Sequence, residues 1–392
     1  MRSFEAILEA ELAELVAIGR HRACPEVVGS SRTSLMVSGA PRVAFCSNDY
    51  LGLAAHPALA AAAAVAAARD GFGASASRLV SGDLPAHRQL EEALARFLGR
   101  QAALVFPSGY QTNIGVLTAL AGPDDVIVSD ALNHASIIDG CRLSRARIAV
   151  YPHRDLDSAA RLLDQARTAR RRLLVTESLF SMNGDAAPLA GLADAAQSHD
   201  AVFIVDEAHA LGVLGPMGRG LCAAAGVVPD VLIGTLGKAL GTAGGFAAGS
   251  CVLRDLVVNR ARSFIFTTAL PPPVAAAALA ALRIVDSPEG DRRRTLLRAH
   301  ADRLAPQLAA LRPAGAEAPL DTMAGSPIQP FLVGTDAAAL AVSAALAHSQ
   351  IFVPAIRPPT VPVGSARLRI TLSASHDPAD LDRLVAALRS LA

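Results

Sequence analysis

Between residues 100 and 235 short apolar runs alternate with stretches of helical periodicity, and that alternation restricts the fold of this 392-residue chain more than any other feature. The runs are Ala102–Phe106, Asp125–Val128, Arg147–Tyr151, Arg172–Thr176, Ala201–Val205 and Val231–Ile233. Each is apolar on successive residues, so both faces of such a strand need cover. A parallel sheet provides it, because its helical crossovers lie on the two faces. The expectation is an α/β protein with a mostly parallel central sheet and helices on both faces. Residues 3–22, 56–70 and 85–98 carry helical patterns, the last opening at Pro85 and closing at Gly99. After a boundary near Ser287–Glu289 the pattern turns α+β, with strands expected at Ile328–Val333, Ile351–Val353 and Arg367–Thr371 and a closing helix from Asp377. The chain is thus expected to divide into an N-terminal helix and extended segment (1–55), a large domain (56–287) and a small C-terminal α+β domain (288–392).

Composition removes several classes of function. With 36 basic against 35 acidic side chains and a formal net charge of +1, the chain lacks the cationic excess that phosphate backbones demand, so no nucleic-acid partner is expected. A mean hydropathy of +0.37 raises the question of a membrane. The alanine-rich run from Ala58 to Ala68 is too short, since a crossing helix takes ~20 residues. Ile265 to Val285 is long enough, but Pro271, Pro272 and Pro273 interrupt it and Arg283 sits near its end. Both are expected as buried helices of a soluble protein. Glu5, Glu9, Glu11 and Glu14 argue against a secretory signal or a transit peptide. The five cysteines are odd in number, scattered and free of any C-x-x-C pair, which fits a reduced, cytoplasmic protein without a disulfide framework or zinc site.

Three apparent motifs dissolve on inspection. Asp206-Glu207-Ala208-His209 spells a helicase-type acidic box, whose partner is G-x-x-x-x-G-K-[ST]. At Gly237-Lys238 the required first glycine falls on Leu232, and Ala239 replaces the magnesium-binding hydroxyl. The glycines from Gly241 to Gly249 lack the spacing of a dinucleotide loop, and no two of the ten histidines form H-x-x-x-H. No metal is expected.

What remains is a set of polar residues placed where apolar strands end. Val202–Val205 runs directly into Asp206, with His209 three residues on. A carboxylate at the carboxyl end of a buried parallel strand lies where α/β sheets place ligands, and it needs a cationic or hydrogen-bonding partner. A helix-capping carboxylate would look the same from sequence. Val231–Ile233 leads into Gly234-Thr235-Leu236-Gly237-Lys238, a lysine among small and apolar residues. Desolvation there disfavours the ammonium and makes the amine a better nucleophile, although lysines also snorkel from helix ends. Ala103–Phe106 opens into Pro107-Ser108-Gly109-Tyr110-Gln111-Thr112-Asn113, a small-residue turn at a helix start that is either a phosphate cradle or a plain N-cap. Together an amine, an acid, a phosphate seat and a ring neighbour describe the needs of pyridoxal 5′-phosphate, and Lys238, Asp206, the Gly109 turn and His134 supply them in turn.

The blocks Ser47-Asn48-Asp49-Tyr50-Leu51-Gly52-Leu53, Pro107-Ser108-Gly109-Tyr110, Asn133-His134-Ala135-Ser136, Glu177-Ser178-Leu179-Phe180-Ser181-Met182-Asn183-Gly184-Asp185, Asp206-Glu207-Ala208-His209 and Gly234-Thr235-Leu236-Gly237-Lys238 occur in this order over nearly the whole chain. In them the chain resembles the α-oxoamine synthases, which are fold-type I pyridoxal-phosphate-dependent transferases. The resemblance implies a cofactor held by Lys238 as an aldimine, with the same lysine as general base. It implies Asp206 on the pyridinium nitrogen, His134 stacked on the ring, His209 and Ser181 at the ring hydroxyl, and Gly109, Tyr110 and Thr235 around the phosphate. Thr267 and Thr268 would reach the phosphate of a partner subunit, making a homodimer with shared active sites. Asn48 and Arg369 would hold the amino-acid carboxylate, and Thr360 matches a substrate-contacting position.

Within the family, Ile356-Arg357-Pro358-Pro359-Thr360-Val361-Pro362 followed by Arg367-Leu368-Arg369 implies L-alanine and pimeloyl-CoA or pimeloyl-acyl-carrier protein as substrates. The same machinery using glycine and acetyl-CoA is the alternative. Outside enzymes, this fold also serves as an effector-sensing module fused to a DNA-binding domain. About fifty residues precede the first family block, too few for that arrangement at usual domain sizes. The family's early arginine, a contact for the acyl substrate, falls within Arg20-His21-Arg22, and Asn183 stands where relatives often carry Asp.

Overall fold

The computed structural model describes residues 3–29, 33–311 and 320–391. Their chain contacts define two compact units. One comprises Asn48–Ser181 and Asp185–Leu297; the other comprises the described residues of Met1–Ser47, Met182–Gly184 and Arg298–Ala392.

The larger unit is built on a seven-stranded sheet whose strands are β1 (Ala102–Phe106), β2 (Val126–Asp130), β3 (Arg147–Tyr151), β4 (Arg172–Glu177), β5 (Val202–Asp206), β6 (Val231–Thr235) and β7 (Gly245–Gly249), in the spatial order β1-β7-β6-β5-β4-β2-β3. Pairings within β3-β2-β4-β5-β6 are parallel, and β7 runs antiparallel to both β6 and β1. The six expected strands are present, Ala102–Phe106 and Arg147–Tyr151 with the expected ends and the other four with ends shifted by one or two residues, and the sheet is covered on both faces by helices, as the apolar runs required. β7 has no counterpart among the expected strands, since Gly-Phe-Ala-Ala-Gly holds no β-branched residue. Its composition answers a packing demand instead. A Cβ on Gly245 would stand 2.6 Å from both Cα and N of Gly109, so only a glycine lets β7 pass beneath the start of helix α1 (Gly109–Leu120).

Helix α1 and the following α2 (Ala135–Ser144) pack together against the sheet. Val116, Leu117, Ala119 and Leu120 of α1 join Ile137 and Cys141 of α2 over Leu104, Ile127, Val175, Ile204 and Ile233. Deleting one such leucine side chain costs about 2–5 kcal/mol, so the core holds the strand ends in place. The run from Ile265 becomes a helix only from Pro272, after Pro271. Pro272 and Pro273 then occupy the first turn, where a missing N–H leaves no bond unmade. Among the described residues no helix is long and apolar enough to cross a membrane.

The smaller unit holds two sheets. Val27–Val28, Ser34–Val37 and Ala40–Ala44 form antiparallel pairs in sequence, and Ile351–Phe352 joins the last of them in parallel. Ile328–Gly334, Ala366–Thr371 and Ala355–Ile356 make an antiparallel sheet with Ala366–Thr371 in the centre. The helices Phe4–Ala17, Asp336–His348 and Pro378–Arg389 belong to the same unit.

Candidate active site

Four parallel strands end at one edge of the large sheet in polar residues: Asp130 on β2, Glu177 on β4, Asp206 on β5 and Thr235 on β6. Lys238 follows β6 by three residues, half-buried, and its Nζ lies 2.8 Å from Nε2 of His209. The other imidazole nitrogen, Nδ1, is 2.7 Å from the hydroxyl of Tyr50, which donates to Asn48 Oδ1 at 3.2 Å. Assigned by satisfying every partner, the proton on His209 sits on Nδ1 and the relay runs from Lys238 through His209 and Tyr50 to Asn48. Tyr50 is fully buried. Its turn is pinned by Asp49, whose carboxylate oxygens accept the N–H groups of Leu53 and Ala54 at 2.8 and 3.1 Å.

A second chain of hydrogen bonds joins Asp206 to His134. Asn113, on α1, donates from Nδ2 to Asp206 Oδ2 at 2.8 Å and to Ser136 Oγ at 2.9 Å. The Ser136 hydroxyl donates to His134 Nδ1 at 2.7 Å. Asp206 Oδ1 accepts the Ala208 N–H at 2.9 Å. His134 caps α2, its outer face open to solvent. Burial of its inner side pulls the imidazole below its ordinary value, the Asp206 charge opposing and the Lys238 charge assisting.

At the neighbouring turn Ser108 caps α1, its hydroxyl accepting the Gln111 N–H and its carbonyl that of Thr112. Gly109 and Tyr110 then begin the helix with N–H groups that have no intrahelical carbonyl to meet. Thr235 stands beside them: a Cβ on Gly109 would lie 3.5 Å from its Oγ1. Amides at a helix start with an adjacent hydroxyl suit a phosphate group. The Tyr110 hydroxyl donates to Asp139, which raises the phenol.

The donor set therefore fits pyridoxal 5′-phosphate: an amine for its aldehyde, a buried carboxylate for its ring nitrogen, an imidazole with an open face and an anion seat. One of these groups is singled out by composition as well. The chain has 35 arginines and Lys238 is its single lysine. Arginine replaces lysine wherever only charge is needed, but a guanidinium stays protonated and cannot serve as an amine nucleophile.

The remaining expected site residues stand on further elements. Thr267 and Thr268 follow the short helix Arg262–Ile265, Thr268 exposed, and among the described residues no hydrogen bond joins them to the Gly109 turn. Ser181 is buried beyond the end of β4. Arg369 is half-buried on Ala366–Thr371 of the smaller unit. In that unit Arg22 Nη2 donates to the Pro358 carbonyl at 3.1 Å, Arg357 donates to the Gly19 carbonyl, and Arg20 lies 3.9 Å from Asp336. Gly19 and Arg22 are thereby held against the segment that carries Thr360, which is exposed. Asn183 Oδ1 accepts from Arg367 at 2.7 Å, so the amide keeps the bond that a carboxylate there would make. Tyr50, Ser136 and Glu177 lie inside the matched blocks, and Asn113 in the segment that follows Phe106, and the sequence alone assigns none of them a role.

A covered, mostly parallel sheet that gathers a lone lysine, an aspartate and a helix-start anion seat at its carboxyl edge defines the class of pyridoxal-phosphate-binding transferases. The chain belongs to the aminotransferase class I and II family, whose profile matches residues 40–388. More particularly, it is similar to the 8-amino-7-oxononanoate synthase of Anaeromyxobacter dehalogenans strain 2CP-1, with 52% identity over 97% of this chain and 94% of the relative. Among solved structures it is similar to a serine palmitoyltransferase variant from S. paucimobilis with a bound PLP–myriocin aldimine, at 31% identity and a TM-score of 0.91, covering 99% of this chain and 98% of that one. An 8-amino-7-oxononanoate synthase from Francisella tularensis matches at 27% identity and a TM-score of 0.75, covering 89% and 97%.

Proposed function

We propose that the chain catalyses the pyridoxal-phosphate-dependent condensation of L-alanine with a pimeloyl thioester, releasing 8-amino-7-oxononanoate, CO2 and the free thiol, a step of biotin biosynthesis. It is an acyltransferase. The observation that carries the reading is the single lysine of the chain, set 2.8 Å from His209 at the sheet edge that also ends in Asp206. The 52% identical relative supplies the choice of substrates.

When bound, the cofactor supplies an electron sink that stabilises negative charge at the amino-acid α-carbon. Lys238 would hold it covalently through Nζ and would be the base for the substrate's α-proton. The His209–Tyr50–Asn48 relay fixes the direction of that amine. Asp206, oriented by Asn113 and Ala208, would keep the ring nitrogen protonated, and Asn113 and Ser136, which position His134, would present its imidazole to the ring. Ser181, and His209 through the Nε2 that meets Lys238 in the cofactor-free protein, would take the ring hydroxyl. Gly109, Tyr110 and Thr235 take the phosphate. The substrate carboxylate falls to Asn48 and, by resemblance, to the Arg369 guanidinium, a planar donor suited to bidentate binding. Arg20, His21, Arg22 and Thr360 serve the acyl group, carried by coenzyme A or a carrier protein. The active form is a cytoplasmic homodimer in which Thr267 and Thr268 complete the partner's phosphate site; sedimentation coupled to assay tests this, and a fully active monomer contradicts it.

Titrating the cofactor-loaded protein with amino acids tests the reaction. L-Alanine is expected to shift the visible absorbance, and pimeloyl thioester then releases thiol. A response to L-serine with a palmitoyl thioester, which the 0.91 TM-score to a serine palmitoyltransferase favours, or to glycine with acetyl-CoA, overturns the substrate assignment.

A further inference from the structure

Two glutamates are buried beside the site, and their carboxyl groups are built differently. Glu207 is saturated: Oε2 accepts the Ser178 hydroxyl at 2.7 Å and the Leu221 N–H at 3.1 Å, and Oε1 accepts the Cys222 N–H at 2.6 Å. Glu177 ends β4 directly opposite Asp206 at the end of β5. Neighbouring strands lie about 4.8 Å apart and register partners point to the same face, so these two carboxyl groups share one buried space, 3% and 6% exposed. Two carboxylates so placed repel, and one takes up a proton. Both oxygens of Asp206 accept N–H bonds, from Asn113 and Ala208, the surroundings of a carboxylate. Oε1 of Glu177 is buried and has no hydrogen-bond partner among the described residues.

We propose that Glu177 is a proton-carrying positioning residue: it stands neutral beside Asp206, leaves Asp206 as the anion that faces the Lys238 amine, and anchors the backbone of His134 through its carboxyl. The consequence for turnover rests on the function proposed above, whereas the protonation state belongs to the protein alone. The groups that face Glu177 are Asp206 from β5, Lys238 beyond β6, the His134 N–H at the start of α2 and Asp130 from β2. Burial, first, and then the Asp206 charge push its carboxyl up to about 8, with Lys238 and the His134 N–H opposing. Above that value a second anion enters the site. It holds the Lys238 nitrogen as an ammonium and removes the lone pair that a base needs.

Difference infrared spectroscopy of the cofactor-free protein against Glu177→Gln tests the protonation directly. A protonated-carboxyl band is expected in the wild type at pH 7, fading as pH rises through about 8 and absent from the variant. In turnover, each protein is compared with its own rate at pH 7. The wild type is expected to lose about tenfold by pH 9, one unit above the titration, and Glu177→Gln to change by less than about twofold. No such band at pH 7, or the same alkaline fall in the variant, overturns the proposal. Should Glu177→Gln fail to fold, Glu177→Met supplies the neutral comparison for both measurements. A band that behaves as expected in a protein inert toward L-alanine and pimeloyl thioester sinks the proposed reaction and leaves the protonation standing.

Discussion

The two edges of the large sheet use the same residue types for opposite purposes. At the amino edge, acids meet arginines or backbone. Asp125, just before β2, takes a two-point contact from Arg170 at 2.5 and 2.9 Å and also accepts the Gly122 N–H, while Asp230, before β6, accepts the Phe203 N–H. At the carboxyl edge Asp206 is held by neutral donors, an amide side chain and a backbone N–H. A carboxylate saturated by a guanidinium has no charge left to offer, whereas one oriented by neutral groups keeps its charge for a cation that arrives with a ligand. The partner of a buried acid, more than its burial, tells structural from functional placement.

That contrast is broken most severely at the lysine. Lys238→Ala is expected to cut turnover by at least ~10³-fold and to abolish the visible absorbance, while the melting temperature of the cofactor-free protein is kept. Asp206→Asn keeps the shape of the carboxyl edge and removes its charge, so kcat should fall by about 10²–10³-fold with little change in folding. Asn113→Ala deprives both Asp206 and Ser136 of a donor. A loss of about 1–3 kcal/mol in stability is expected, read by denaturant titration, together with a fall in kcat smaller than that of Asp206→Asn.

Two smaller effects sharpen the comparison through pH. His153 joins Asp130 of β2 to Asp185, at 2.8 and 2.7 Å. Burial alone would lower its imidazole, but the hydrogen bonds to the two carboxylates overcome that and raise it to about 9. Stability from a raised histidine is complete below the unfolded value of about 6.5 and is lost as pH rises through about 9. His153→Ala should therefore lower the melting temperature most at pH 6 and hardly at all above pH 9.5 or so. Asp125 is the reverse case: the Arg170 hydrogen bond holds its carboxyl below the usual range despite burial. Its contribution is present above the unfolded value and disappears as pH falls through the depressed one. Asp125→Asn should destabilise at neutral pH, converge with the wild type in acid and leave kcat at pH 7 alone.

Much of the architecture was legible because the strands that build the sheet centre are locally apolar and β-branched: Val126–Val128, Leu173–Val175 and Val202–Val205 announce themselves. β7 did not, since its residues were chosen for closeness to Gly109 and not for strand propensity. The parallel pairing of Ile351–Phe352 with Ala40–Ala44 is a contact across three hundred residues of chain, and local patterns carry no record of such distances. In the site, Lys238, Asp206 and the Gly109 turn were readable from the strands that precede them. Asn113, Ser136 and Tyr50 act by reaching those groups from other elements, so their meaning appears only once the sheet edge is assembled. Counting lysines would have isolated Lys238 at once, an arithmetic signal independent of its apolar surroundings.

The central claim is that this one amine carries the cofactor. Loading the protein with pyridoxal 5′-phosphate, reducing it with borohydride and mapping the peptides by mass spectrometry tests it, because the chain offers no second lysine. One pyridoxyl-phosphate adduct per chain, on the peptide that contains Lys238, is the predicted result. No stable adduct, or an adduct confined to the terminal α-amine, contradicts the account.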